Sequence, residues 1–214
     1  MNFTNTEIMG KVIHNTLSGL MYLKERSILD NNMKQLIENI QQSDGGHILY
    51  CFNELEAYIE NEASFIIAGV EQGDHILVVE NDRIFPFVYK KLQLHLNEEQ
   101  LEQVHLMNNF DFYCFHGDFH PSTMVNYFLE NIDTYTERNQ HVRTWGHVEW
   151  GHDDQVSLAI GEYEKGIDKL IKERGLISVC AYDDCRLPAE LKTNLIKHHG
   201  VLITDEKITI LANG

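Results

Sequence analysis

From residue 47 onward, short apolar runs alternate with stretches in which apolar positions recur every three or four residues. His47 to Phe52 (HILYCF) reads as a short buried strand, and 54–72 as an amphipathic helix that ends at Gly73, ahead of a second strand over 75–80. The pattern continues with helix 83–96, which has a proline in its first turn, an acidic connector from Asn97 to Glu102, and two short apolar runs near 104–107 and 111–115. Helix 121–138, strand 141–148, helix 153–174, strand 176–182 and helix 188–199 follow, and two strands near 201–204 and 207–211 close the chain. Such alternation predicts an α/β fold: a mostly parallel sheet flanked by helices, with an antiparallel hairpin at its edge.

Upstream, Ile8, Met9, Val12, Ile13, Leu17, Leu20, Met21 and Leu23 fall on one helical stripe, and Ile28, Leu29, Met33, Leu36, Ile37 and Ile40 on another. They predict a helical hairpin over 1–45, closed by Ser43-Asp44-Gly45-Gly46, with the α/β domain over 46–214. Two stripes of that size are costly to leave in water, so the hairpin is expected to dimerise the chain or to dock a partner.

Charge narrows the partners. The 214 residues carry 33 acidic against 17 basic side chains, a formal net charge of −16, which works against nucleic acid and anionic membranes. Residues 1–45 hold four basic and five acidic residues, so no local basic patch rescues a nucleic-acid role. No apolar run approaches the roughly 20 residues of a spanning helix, and the amino terminus has no basic segment followed by an apolar one. The expectation is a cytoplasmic protein with no membrane partner, and its four cysteines read as free thiols.

The first strand-to-helix turn is informative for what it lacks. A phosphate-binding loop needs glycines and a Lys-Ser/Thr pair, and this turn reads Tyr50-Cys51-Phe52-Asn53-Glu54, which argues against nucleotide hydrolysis. Ligands of open α/β sheets bind beyond the carboxyl ends of the strands. The residues gathered there by the predicted elements are Cys51, Asn53, Glu54, Glu80, His116, Glu149, Trp150, Tyr182, Asp183 and Arg186, which we take as the candidate ligand site. The histidines of His116-Gly117-Asp118-Phe119-His120 and of 147–154 fit neither a helical HExxH site nor a Cys/His zinc module, so no metal and no cofactor is assigned. Cys180 and Cys185 have a CxxxxC spacing, not CxxC, and no GxSxG occurs. Three function classes stand: a non-enzymatic sensory module that binds a small molecule, a hydrolytic or metal-assisted enzyme using His116, Glu149 and Asp183, and a purely structural interaction protein whose pocket is filled by its own side chains.

Ser178-Val179-Cys180-Ala181-Tyr182-Asp183, then Arg186-Leu187-Pro188-Ala189-Glu190-Leu191, then His198-His199-Gly200-Val201-Leu202 together resemble the C-terminal signature of the MEDS family, the methanogen/methylotroph sensory domain. Gly46-His47-Ile48-Leu49-Tyr50 resembles the family's opening strand. Gly69 to Val79 is similar to its G-x-x-x-G-D-x-x-x-x-V passage, and Arg143 with Gly146-His147-Val148-Glu149-Trp150 to its arginine and tryptophan-bearing turn. The resemblance runs over 46–211. It implies a RecA- or KaiC-like core that has lost its nucleotide machinery, and a sensory role tied to small organic compounds, relayed to a partner such as a histidine kinase or other regulator. None of its motifs assigns ligand contacts, and no output module stands in this chain beside the sensory part.

Overall fold

A computed structural model describes residues 46–114, 120–138, 140–150 and 154–211. The helical hairpin expected over 1–45 and the candidate residue His116 lie outside the described residues. Seven strands form one sheet: β1 (Gly46–Phe52), β2 (His75–Glu80), β3 (Val104–Asn108), β4 (Val142–His147), β5 (Ile177–Asp183), β6 (Val201–Thr204) and β7 (Ile208–Ile210). Their order is β3-β2-β4-β5-β1-β6-β7, parallel throughout except for the β6–β7 hairpin at the edge. Among the described residues the helices are α1 (Leu55–Glu71), α2 (Phe85–His95), α3 (Glu98–Leu101), α4 (Asn109–Cys114), α5 (Pro121–Thr136), α6 (Asp154–Arg174) and α7 (Ala189–Ile196). No helix among the described residues is long and apolar enough to cross a membrane.

The sheet is buried on both faces, which is why its strands read as continuous apolar runs. Ile48, Tyr50, Ile76, Val78, Trp145 and Val179 face α1 and α2, while Leu49, Leu77, Val79, Cys180 and Tyr182 face the layer of α4, α5, α6 and α7. Helix α1 lies against the sheet through Tyr58, Ile59, Phe65, Ile66 and Val70, which fall on one helical stripe, and each such side chain is worth about 1.5–3 kcal/mol when buried. The same stripe carries one charged residue, Glu62, at 0 % exposure.

The Gly69–Val79 passage acts as a clamp. Helix α1 ends in a Schellman turn, with Gly73 N–H donating to Val70 O (2.9 Å), Asp74 N–H to Gly69 O (3.1 Å), and Gly73 at φ 85°, in the left-handed region that suits glycine. A Cβ on Gly69 would collide with Ile76 Cδ1 and stand 3.3 Å from Arg143 Cδ, so the absence of a side chain lets α1 lie close on the sheet. Asp74, placed by that turn, pairs with the buried Arg143 of β4, and Arg143 Nη2 also donates to Gln72 Oε1.

Two segments differ from the sequence reading. The run near 111–115 is helix α4, because Asn108 Oδ1 accepts from Phe110 N (2.9 Å) and Asp111 N (3.2 Å) and starts a helical turn directly after β3. The acidic connector contains α3, fixed by a capping box in which Gln100 N donates to Asn97 Oδ1 (2.9 Å) and Asn97 N to Gln100 Oε1 (3.0 Å).

Candidate functional site

A cavity of about 400 Å³ opens at the carboxyl ends of the strands, lined by residues that follow β2, β3, β4 and β5. Glu149 is its central charge. The segment after β4 keeps close to the sheet, with Val148 N–H donating to Ala181 O (2.9 Å), and this sets Glu149 beside two amides. Asn81 Nδ2 and Asn109 Nδ2 both donate to Glu149 Oε2, each at 2.8 Å. Arg83 and Arg186 approach Oε1 at 3.5 and 3.6 Å, and the Arg83 side chain is 82 % exposed. Burial pushes the Glu149 carboxyl up, but the His147 charge, the two amides and Arg83 outweigh it and hold the group below its ordinary range. Arg186 also donates to Trp150 O (2.6 Å) and sits 5.9 Å from the Trp150 ring centre. Phe110, 71 % exposed, adds an apolar wall.

Beneath the cavity lies a buried polar network. Glu80, at the end of β2, accepts from Asn81 N (2.6 Å), Tyr58 Oη and the His147 ring (2.8 Å), and Trp145 Nε1 donates to Tyr58 Oη (2.9 Å). Glu62 stands beside Glu80 and Tyr58 with no hydrogen-bond partner on either oxygen. Desolvation, and after it the Glu80 charge, raise the Glu62 carboxyl well above its ordinary value and favour its protonated form.

The first strand-to-helix turn is closed by a group from the far end of the chain. Asn53 N–H and Glu54 N–H donate to Asp205 Oδ2 at 2.8 and 2.9 Å, and Tyr50 Oη donates to Asp205 Oδ1 at 2.9 Å. Asn61 Nδ2 in turn donates to Tyr50 Oη (2.8 Å). Asp205 belongs to the turn between β6 and β7, so the edge hairpin reaches back over the end of β1. Asp205→Ala is expected to cost about 1–3 kcal/mol in urea denaturation, since two N–H groups and a buried hydroxyl lose a charged acceptor; an unchanged midpoint would count against this role.

Of the ten residues taken from the sequence, the structure brings Glu149, Trp150 and Arg186 together at the cavity, and His116 lies outside the described residues. Glu80 sits below the cavity in the buried network. Cys51 faces the core under α7, and burial pushes its thiol up to about 12, because a strand residue before the turn points alternately to each sheet face and never to the rim. Tyr182 is likewise fully buried, touching the cavity only as a platform 5.9 Å from the Trp150 ring. Asp183 is used inside its own turn, accepting from Cys185 N (3.0 Å). Asn53 and Glu54 are exposed at the α1 entrance, and the carboxylate held there is that of Asp205, not Glu54. Missed from the sequence were Asn81, Arg83, Asn108 and Asn109. The runs Glu80-Asn81-Asp82-Arg83 and Asn108-Asn109, each just past an apolar run, were the available signal.

Comparison with the curated proteins finds no match. Among solved structures, the chain is similar to the ATPase domain of a helicase, with a TM-score of 0.50 at 9 % identity over 75 % of this chain and 69 % of that one. At that identity the likeness speaks for the fold, which is RecA-like. A family model described as MEDS: MEthanogen/methylotroph, DcmR Sensory domain matches residues 46–200, the segment that holds the clamp, the cavity and the buried network. The chain belongs to the MEDS family of sensory domains.

Proposed function

We propose that the chain is a non-enzymatic sensory module that binds a small polar organic molecule in the cavity around Glu149 and passes its state to a partner protein. The observation that carries this reading is the balance of charge in the cavity. Glu149 is ionised and held by two amides, while Arg83 and Arg186 approach it at 3.5–3.6 Å, longer than a direct charge-assisted bond of about 2.7–2.9 Å. A ligand with a donor and an acceptor gains by separating those arginines from Glu149, and Trp150 and Phe110 supply apolar walls. Glu149→Gln removes the charge and keeps the shape. A thermal-shift screen of small polar organic compounds, including one-carbon amines, alcohols and acids, is expected to give a stabilising hit that is lost in this variant. Equal shifts in both proteins would place the ligand elsewhere.

A nucleotide is disfavoured because the amides that would meet a phosphate at the start of α1 are engaged by Asp205. Calorimetry with ATP or GTP and magnesium is expected to give no heat of binding at micromolar affinity. The hydrolase reading drew on His116, which lies outside the described residues, on Asp183, which accepts a hydrogen bond within its own turn, and on a Glu149 whose lowered pKa suits neither a general acid nor a strong base. The relay falls to residues 1–45, as a dimerisation or docking element toward a histidine kinase or similar regulator in the cytoplasm. Light scattering on the full chain, against a chain beginning at Gly45, reads its part in a homodimer.

A further inference from the structure

Away from the cavity, four side chains converge on one point inside the layer between the sheet and α6. They are His47 of β1, Glu164 of α6, Cys180 of β5 and His199, in the connection between α7 and β6, and none is more than 4 % exposed. One ligand-type atom from each lies within 4.8 Å of all the others. His47 Nε2 is 3.3 Å from Cys180 Sγ and 3.3 Å from Glu164 Oε2, and His199 Nε2 is 3.6 Å from the same oxygen. A tetrahedral zinc with bonds of about 2.0–2.3 Å sets its ligand atoms about 3.3–3.7 Å apart.

The surroundings orient every donor inward. The Nδ1 atom of His47 meets His198 O at 2.9 Å, with Asp168 Oδ1 at 3.5 Å, and the Nδ1 atom of His199 meets Leu195 O at 2.7 Å. A carbonyl oxygen only accepts, so both rings carry a proton on Nδ1 and turn Nε2 toward the cluster, the arrangement that metal-bound histidines adopt. Tyr182 Oη donates to Glu164 Oε1, which leaves Oε2 as the inward oxygen. Glu164 Oε2 and His199 Nε2 have no hydrogen-bond partner although both are buried. Two buried acceptors that face one another 3.6 Å apart at this depth are costly to desolvate. A cation bound by both removes that cost.

We propose that His47, Glu164, Cys180 and His199 form a closed zinc site that ties β1, α6, β5 and the α7–β6 connection together. The donor set of two imidazoles, one thiolate and one carboxylate suits zinc and does not suit calcium or magnesium, which take oxygen ligands. Thiolate and carboxylate together carry two negative charges, which Zn²⁺ neutralises, and the Cys180 proton leaves to solvent on binding. Four protein ligands and no opening to the cavity make the site structural, and the proposal is independent of what binds at Glu149.

Metal analysis of the purified full chain is expected to find about one zinc per chain. Unfolding in chelator and refolding with cobalt is expected to give the near-ultraviolet thiolate-to-cobalt band and the strong visible bands of a tetrahedral centre. Cys180→Ser removes the thiolate band, and His199→Gln cuts zinc content at least tenfold, while Cys185→Ser, an exposed thiol outside the cluster, changes neither. Refolding with zinc at about a thousand times its dissociation constant raises the melting temperature by roughly 8–16 °C over the chelated protein. A folded wild-type chain that holds no metal as purified and takes up neither zinc nor cobalt on refolding overturns the proposal, and makes the cluster a proton-filled one in which a His47 imidazolium faces Glu164 and Asp168. Stoichiometric iron or copper in place of zinc overturns the choice of metal.

Discussion

Arg143→Leu is expected to lower the stability of the fold by about 3–5 kcal/mol, read as a shift of the urea midpoint at constant slope. Arg143 is 1 % exposed and Asp74 6 %, so removing the guanidinium leaves a carboxylate buried at the end of α1 with no countercharge. Burial pulls the Arg143 pKa down while Asp74 opposes that pull, and the pair lives on their contact. The second substitution in a cycle, Asp74→Asn, should be tolerated better in the Arg143→Leu background than in wild type, because the charge it removes is already unpaired. Arg143→Lys is not a rescue: one ammonium cannot reach both Asp74 and Gln72 as the planar guanidinium does. Additive losses in the cycle would show that the two residues matter separately.

Glu62→Gln is expected to stabilise the protein increasingly as pH rises. An exposed glutamate releases its proton near 4.5, whereas burial beside Glu80 keeps Glu62 protonated well above that. Between those limits the folded chain binds one more proton than the unfolded chain, so its stability falls with rising pH, by up to about 1.4 kcal/mol per pH unit. Glutamine has the shape of the neutral acid and no proton to lose. Denaturation curves for wild type and variant should coincide below about pH 4 and diverge as pH rises above the ordinary glutamate range, the variant being the more stable. The difference between the two curves reports Glu62 together with its interaction with Glu80. Parallel curves across the range would mean that Glu62 is ionised in the fold.

The sheet was legible because apolar runs such as Ile76–Val79 and Ile177–Ala181 are buried on both faces, and burial on both faces leaves a run with no polar alternation to confuse it. Helix α4 was not, since the aromatic pair Phe112–Tyr113 favours strand by propensity and only the Asn108 side chain tips the segment into a helix. For the cavity, the strand-end rule gathered Glu149, Trp150 and Arg186, which leave the sheet at the rim. It failed for Cys51 and Tyr182, whose strands had not yet ended where those side chains point into the core. Glu62 and Glu164 gave no signal at all. Each occupies a helix position that pattern reading assigns to solvent or to an apolar residue, and the group each stands beside lies on the strand that follows its helix, Tyr182 for Glu164 and Glu80 for Glu62.

Strand β4 alternates Arg143, Trp145 and His147 toward α1, and then runs without a break into Val148-Glu149-Trp150 at the rim. One stretch of backbone therefore connects the cavity carboxylate to the buried network, as a rod would. Under the sensory reading proposed above, a ligand that displaces Glu149 is expected to shift His147 against Glu80 and, through Tyr58 and Trp145, the seat of α1. Packed interiors settle into discrete arrangements instead of deforming smoothly, so such a rod delivers a click, not a gradient. Its far end is the Arg143–Asp74 latch, at the opposite edge of the sheet from the cavity and on the same side as Gly46, where the chain enters from residues 1–45.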